Sequence, residues 1–184
     1  MFTEMDKKPE KRERKPPKKI SKKYLENAAL FYLQRYATPA DNLRRVLLRK
    51  VKRSCTFHQV EAESFTPLVD DLVTRYMAVG LVDDTVFARA RVTSLRRQGL
   101  SRQSIIARLQ AKGLAKADIE AALLQVDAEQ EDPELAAATA YARRKKLGPW
   151  RKKPQEMQKE LAAMGRAGFS YAVARKALES GEED

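Results

Sequence analysis

The feature that most constrains this chain is a short frame that occurs three times, at Tyr76–Ala90, Leu109–Leu123 and Met164–Leu178. In each copy an apolar residue is followed four positions on by glycine (Gly80, Gly113, Gly168), then by a large apolar residue (Leu81, Leu114, Phe169) and a short capped helix. Glycine there reads as a helix stop, because it takes the left-handed conformation without steric cost. Thr38 and Ser101 open helices in a matching way, each with an inward apolar pair. A unit this small cannot bury its own apolar stripe, so neighbouring units must stack on one another. No stretch shows the period-two alternation of a strand. The expected fold is all-α: an elongated array of helical units with a long basic surface.

Residues 81–114 show one such hairpin almost letter by letter. Asp83 or Asp84 can cap the first helix, its carboxylate accepting a free N–H of the first turn. Phe87, Arg91 and Leu95 follow at four-residue steps beside Val92, edged by Arg89, Arg96 and Arg97. Gly99 ends that helix and Ser101 caps the next, whose inward positions are Ile105, Ile106 and Leu109. Phe87, Ile105 and Leu109 are therefore assigned to the core.

Charge narrows the class of partner. The 184 residues hold 37 Lys and Arg against 25 Asp and Glu, a formal charge of +12. Such an excess suits a polyanion or an acidic protein surface. Apolar residues make up 43% of the chain, enough for a core, but in short stripes that never reach the roughly 18 residues of a membrane span. The charged start lacks an apolar signal region, and one cysteine cannot form an internal disulfide. A cytoplasmic protein is expected.

Residues 1–21, with eight Lys/Arg, four acids and three prolines, read as a disordered basic arm, either a nucleic-acid tether or a solvated tail. The first unit, 22–80, opens with a helix from Lys22 to Tyr36 that turns Tyr24, Ala28, Phe31 and Tyr32 inward. Thr38-Pro39 starts the second helix, which buries Leu43, Val46, Leu47 and Val51 and shows six cations outward between Arg44 and Arg53. Residues 54–65 read as a connection, followed by a helix from Thr66-Pro67 with Leu68, Leu72, Val73, Tyr76 and Met77 inward. The second unit covers 81–127 and the third 132–179, with an acidic tail at 180–184. In the third, Asp132-Pro133 starts a helix ending in Arg143, Arg144, Lys145 and Lys146, where cations favour the negative helix end. Trp150 follows in a Gly-Pro-Trp loop, as a plug between helices or as a partner anchor.

Catalytic chemistry is poorly provided for. Cys55 and His58 are three apart, but zinc usually takes three or four protein ligands and the chain has no second Cys or His. No glycine-rich phosphate loop occurs. Asp70-Asp71 and Asp83-Asp84 could hold Mg²⁺ in a nuclease, yet helix capping and the helix dipole account for both pairs. The expectation is a binding protein without enzyme activity, metal or cofactor. Its contact residues, selected on charge and expected exposure, are Arg44, Arg45, Arg49, Arg96, Arg97, Arg102, Arg108, Lys112, Arg143, Arg144, Lys145 and Lys146.

Leu81-Val-Asp-Asp-Thr-Val-Phe-Ala-Arg, Arg96-Arg97-Gln-Gly and Ile105-Ile-Ala-Arg-Leu-Gln-Ala-Lys-Gly113 closely resemble the signature of the RecX family, regulators of the RecA recombinase. Tyr32-Leu-Gln-Arg-Tyr-Ala-Thr followed by Leu43 and Leu47 resembles that family's first helical unit, and Gly168-Phe-Ser followed by Leu178 the end of its last, so the likeness spans about residues 22–179. After Gly99 the chain departs from the family's usual Gly-Pro-x-Arg, and the basic arm, the 54–65 connection and the Gly-Pro-Trp loop look like additions. The resemblance implies a curved rod of three tandem three-helix units. It implies a monomer lying in the groove of the RecA–DNA filament, touching single- or double-stranded DNA more weakly. Filament growth, ATPase, strand exchange and co-protease activity would be limited. A general helical DNA-binding protein acting without RecA is the alternative reading.

Overall fold

The computed structural model describes residues 16–151 and 156–180, so most of the basic arm and all but the first residue of the acidic tail lie outside the described residues. Among them are nine α-helices and no strand: α1 Lys22–Leu33, α2 Ala40–His58, α3 Thr66–Ala78, α4 Asp84–Arg97, α5 Arg102–Ala111, α6 Lys116–Asp127, α7 Pro133–Lys145, α8 Met157–Arg166 and α9 Tyr171–Glu179. Single 3₁₀ turns lie at Glu63–Phe65 and Gly148–Trp150.

The glycine frame is a repeated Schellman stop. At Gly80 the glycine N–H donates to the Met77 carbonyl at 3.0 Å, and Leu81 N–H reaches back to the Tyr76 carbonyl at 2.9 Å. The same two bonds recur at Gly113–Leu114 and Gly168–Phe169, where φ is +92° and +89°. Two further copies occur that the sequence frame did not include. One is Gly99–Leu100, and in the other Lys146 takes glycine's place at φ 58° before Leu147. Each stop satisfies helix-end carbonyls and folds an apolar residue back over the last turn. New helices then start on side-chain caps: Ser21, Asp83, Ser101, Asp132 and Ser170 each accept the N–H three residues on.

Three separate apolar clusters result. The first gathers Leu25, Leu43, Leu47, Val51, Val69 and Leu72 from α1–α3, and also Val82. The second gathers Val92, Leu95, Ile105, Leu109, Ile119 and Leu123 from α4–α6. The third, from α7–α9, relies on five alanines beside Met164, Phe169 and Leu178. Full burial of a leucine-sized side chain is worth about 1.5–3 kcal/mol. The alanine-rich third unit gains less per residue and depends more on its neighbour.

Several sequence expectations change. α2 continues to His58, so residues 54–58 are helical and Cys55 is buried in the first core. Thr38 does not cap α2; its hydroxyl accepts from Asn42 Nδ2 at 2.7 Å. Phe31 points outward, 59% exposed, with the Arg35 guanidinium 3.5 Å above its ring. Leu25 and Ala29 take the inward face of α1 instead. Met77 is exposed while Val69 is buried, and Phe87 is only half-buried.

Candidate partner-binding face

What fixes the basic side chains in space is how the units join. Between the first and second units, the Asp84 carboxylate accepts the Ala40 N–H at 2.8 Å, so the second unit caps α2 of the first. Burial, its largest influence, pushes the Asp84 carboxyl above its ordinary value, against the pull of the Ala40 bond. Arg45 forks onto the Ala111 carbonyl at 3.3 Å while pairing with Asp41 at 2.7 Å. Gly113 lies against the same Asp41–Arg45 pair, leaving no room for a Cβ.

Between the second and third units the joint is tighter. Gly99 sits on the α7 backbone, where a Cβ would lie 2.6 Å from Tyr141 N and 2.8 Å from the Ala137 carbonyl. Ser101 and Ser104 both donate to the Ala167 carbonyl at 2.7 Å. Arg96 is the hub. Its side chain is 8% exposed, with Nη2 2.6 Å from Asp127 and Nη1 2.7 Å from Glu134. It also donates to the Leu100 carbonyl. Burial alone would lower the Arg96 pKa, but the hydrogen bonds and charges of Asp127 and Glu134 outweigh it and raise the pKa. Arg96 is therefore an inter-unit strut, and it leaves the set of contact residues expected from sequence.

The other eleven expected contacts stay outside the cores. Arg44 is engaged by Asp70 at 2.6 Å, and that hydrogen bond and charge raise its pKa. Arg144 donates to the Gln98 carbonyl and lies 5.5 Å from the Tyr141 ring centroid. Arg49, Arg97, Arg102, Arg108, Lys112, Arg143, Lys145 and Lys146 are exposed and form no ion pair among the described residues. They fall into two groups. The Arg45–Ala111 contact places Lys112, the next residue, at the first joint, with Arg108 one turn back on α5 and Arg49 one turn on from Arg45 along α2. The Arg144–Gln98 contact lies between Arg97, the residue before Gln98, and the basic end of α7 that holds Arg143, Lys145 and Lys146. Arg102 also stands at the second joint, its N–H on Glu134 at 3.1 Å. Trp150 is half-buried against the third core and also forms one wall of a cleft with Leu135, Ala136, Thr139 and Arg143.

Three of the four carboxylates considered for Mg²⁺ have structural partners. Asp83 caps α4, Asp84 caps α2 and Asp70 holds Arg44. Among the described residues no three His, Cys, Asp or Glu side chains form a metal-binding group, and no helix is long and apolar enough to cross a membrane. Sequence reasoning missed Glu134 and Asp84 as joint-makers. An acidic residue at or near a helix start was the only signal, and it does not say which helix is served.

Similar proteins carry the RecX name. Residues 83–123 match the family model "RecX, second three-helix domain". The chain is 42% identical over 176 residues to "Regulatory protein RecX" of Myxococcus xanthus, covering 92% of this chain and 93% of the relative. It is 32% identical over 155 residues to the protein so named in Agrobacterium fabrum, covering 83% and 80%. Its fold is similar to the crystal structure of RecX from Lactobacillus salivarius, with a TM-score of 0.64 at 18% identity over 86% of this chain and 95% of that one.

Proposed function

Because this chain belongs to the RecX family of regulatory proteins, we propose that it binds the RecA–DNA filament as a monomer in the cytoplasm. There it limits filament growth, ATP hydrolysis, strand exchange and co-protease activity without catalysing a reaction itself. The observation that carries this reading is that each joint contact of a serial array is flanked in sequence by exposed cations without an ion-pair partner among the described residues: Lys112 beside Ala111, Arg97 beside Gln98, and Arg143 and Lys145 beside Arg144. Units that repeat along a rod suit a partner that repeats along a filament, and a basic face at each joint suits a polyanionic complex. The contact set is Arg44, Arg45, Arg49, Arg97, Arg102, Arg108, Lys112, Arg143, Arg144, Lys145 and Lys146. Each exposed ion pair contributes only about 0–1 kcal/mol. Affinity must then come from many such contacts, and must fall as salt screens them.

The test is ATP hydrolysis by RecA on saturating single-stranded DNA, titrated with this protein and with a basic mock protein of equal charge. Inhibition at protein levels well below RecA, absent with the mock, supports filament binding. Inhibition only when the protein coats the DNA would overturn it in favour of a general DNA-binding protein.

A further inference from the structure

The outer face of α2 carries more than the joint uses. Arg45, Arg49, Arg53 and Phe57 follow at four-residue steps, roughly 6 Å apart along the helix, in a row that winds by about 40° a step and so carries Phe57 about a third of a turn round from Arg45, towards the side of Ser54. Arg45 is occupied at the joint. Arg49, Lys52 and Arg53 are exposed and have no ion-pair partner among the described residues. Phe57, 57% exposed, ends the row, its ring edge-on to His58 with centroids 5.0 Å apart. The incoming chain is tied to the same end of the helix. Ser54 Oγ donates to the Lys18 carbonyl at 2.7 Å, and His58 Nε2 lies 2.9 Å from the Pro17 carbonyl. These bonds hold Lys18 and Lys19 beside the last turns of α2. They also frame a cleft of about 260 Å³, lined by Lys19, Ile20, Ser54, His58, Val60 and Phe65.

We propose that this end of the rod binds a single strand of nucleic acid. Arg49, Lys52, Arg53 and Lys19 meet successive phosphates, Phe57 stacks on one base, and the cleft beneath Lys19 takes a neighbouring unstacked base. A track of cations ending in an open aromatic ring is the arrangement that holds single strands without reading sequence. A duplex keeps its bases stacked and offers no face to Phe57. An acidic protein segment would want a deep apolar pocket for an anchor residue, whereas this cleft is small and cationic at its mouth. The site deepens the reading of a filament-bound protein by assigning one end of it to DNA.

The test uses the full chain without RecA: fluorescence anisotropy of a labelled oligothymidylate, titrated at several salt concentrations. Phe57→Ala should weaken binding by about tenfold, the scale of one lost base stack, and Phe57→Trp should restore it. Phe57 is exposed, so its removal leaves the first core intact, which a thermal melt checks. The Arg49→Gln/Arg53→Gln variant should flatten the slope of log affinity against log salt by about 1.4. Unchanged affinity in Phe57→Ala, equal affinity for a duplex of the same length, or equally good displacement by polyglutamate would overturn the assignment. Without RecA in the assay, this result and ATPase inhibition can fail separately.

Discussion

Replacing Arg96 by alanine removes the strut between the second and third units. Its side chain is 8% exposed and forks onto Asp127 at 2.9 and 2.6 Å and onto Glu134 at 2.7 Å. After truncation the two carboxylates, 15% and 27% exposed, face one another without a cation. Removing one partner of a buried ion pair costs about 3–5 kcal/mol. Water reaches both carboxylates here, so the lower end applies, about 3 kcal/mol. In a chain of this length that corresponds to a fall of roughly 6–12 °C in the transition involving the second and third units. Differential scanning calorimetry or urea unfolding reads it. Arg96→Lys should lose an intermediate amount, because an ammonium cannot fork onto both carboxylates. The Arg96→Met/Asp127→Asn/Glu134→Gln variant leaves no unpaired charge and should recover part of the loss. A cost below about 1 kcal/mol for Arg96→Ala would place the hub among solvent-screened surface pairs, refute its role as a strut and return Arg96 to the contact set.

Asp84→Ala should destabilise by about 1 kcal/mol, the usual worth of a helix cap, while Asp84→Asn keeps an acceptor for Ala40 N–H and should cost nothing at neutral pH. Because the Asp84 pKa is raised on folding, the native state holds that proton more tightly than the unfolded chain. Acidification from its raised value down through the ordinary carboxylate range should thus add stability, and Asp84→Asn should remove that increment from a series of melts against pH. Gly80→Ala and Gly99→Ala separate backbone strain from packing. Gly80 has φ +73° and open space, so alanine should cost about 1–2 kcal/mol. Gly99, at φ +70° against α7 backbone, should lose clearly more and loosen the third unit, as hydrogen exchange would show.

Local chemistry was legible in the sequence where one element decides the outcome. Glycine stops and Ser or Asp caps are settled within a single turn, so Gly80, Gly113, Gly168, Ser101 and Asp132 all behave as read. Partnerships across long sequence distances were not legible. Arg96 reads as one more arginine on a basic helix until Asp127 and Glu134 arrive from 31 and 38 residues away. Asp84 sits where it could cap its own helix, yet Asp83 does so and Asp84 serves α2. Cys55 and Ser54 look like a break in the apolar pattern. Cys55 faces the core and Ser54 holds the incoming segment at Lys18, both on uninterrupted helix. Phe31 and Leu25 share a helix whose apolar residues crowd both sides, and spacing alone does not choose the face that α2 and α3 will cover.

The claim that unpaired joint cations, rather than net charge, bind the partner meets its most direct test in one comparison. Labelled protein is titrated onto RecA filaments assembled on single-stranded DNA. One variant neutralises Arg97, Arg108 and Lys112 at the joints. A second neutralises Arg75, Lys159 and Arg175, cations of equal charge held in ion pairs elsewhere. The joint variant should bind about tenfold or more weakly, a loss of roughly 1.4 kcal/mol, and the second should bind like the parent. Equal weakening in both variants would contradict the account and leave net charge as the sole source of affinity.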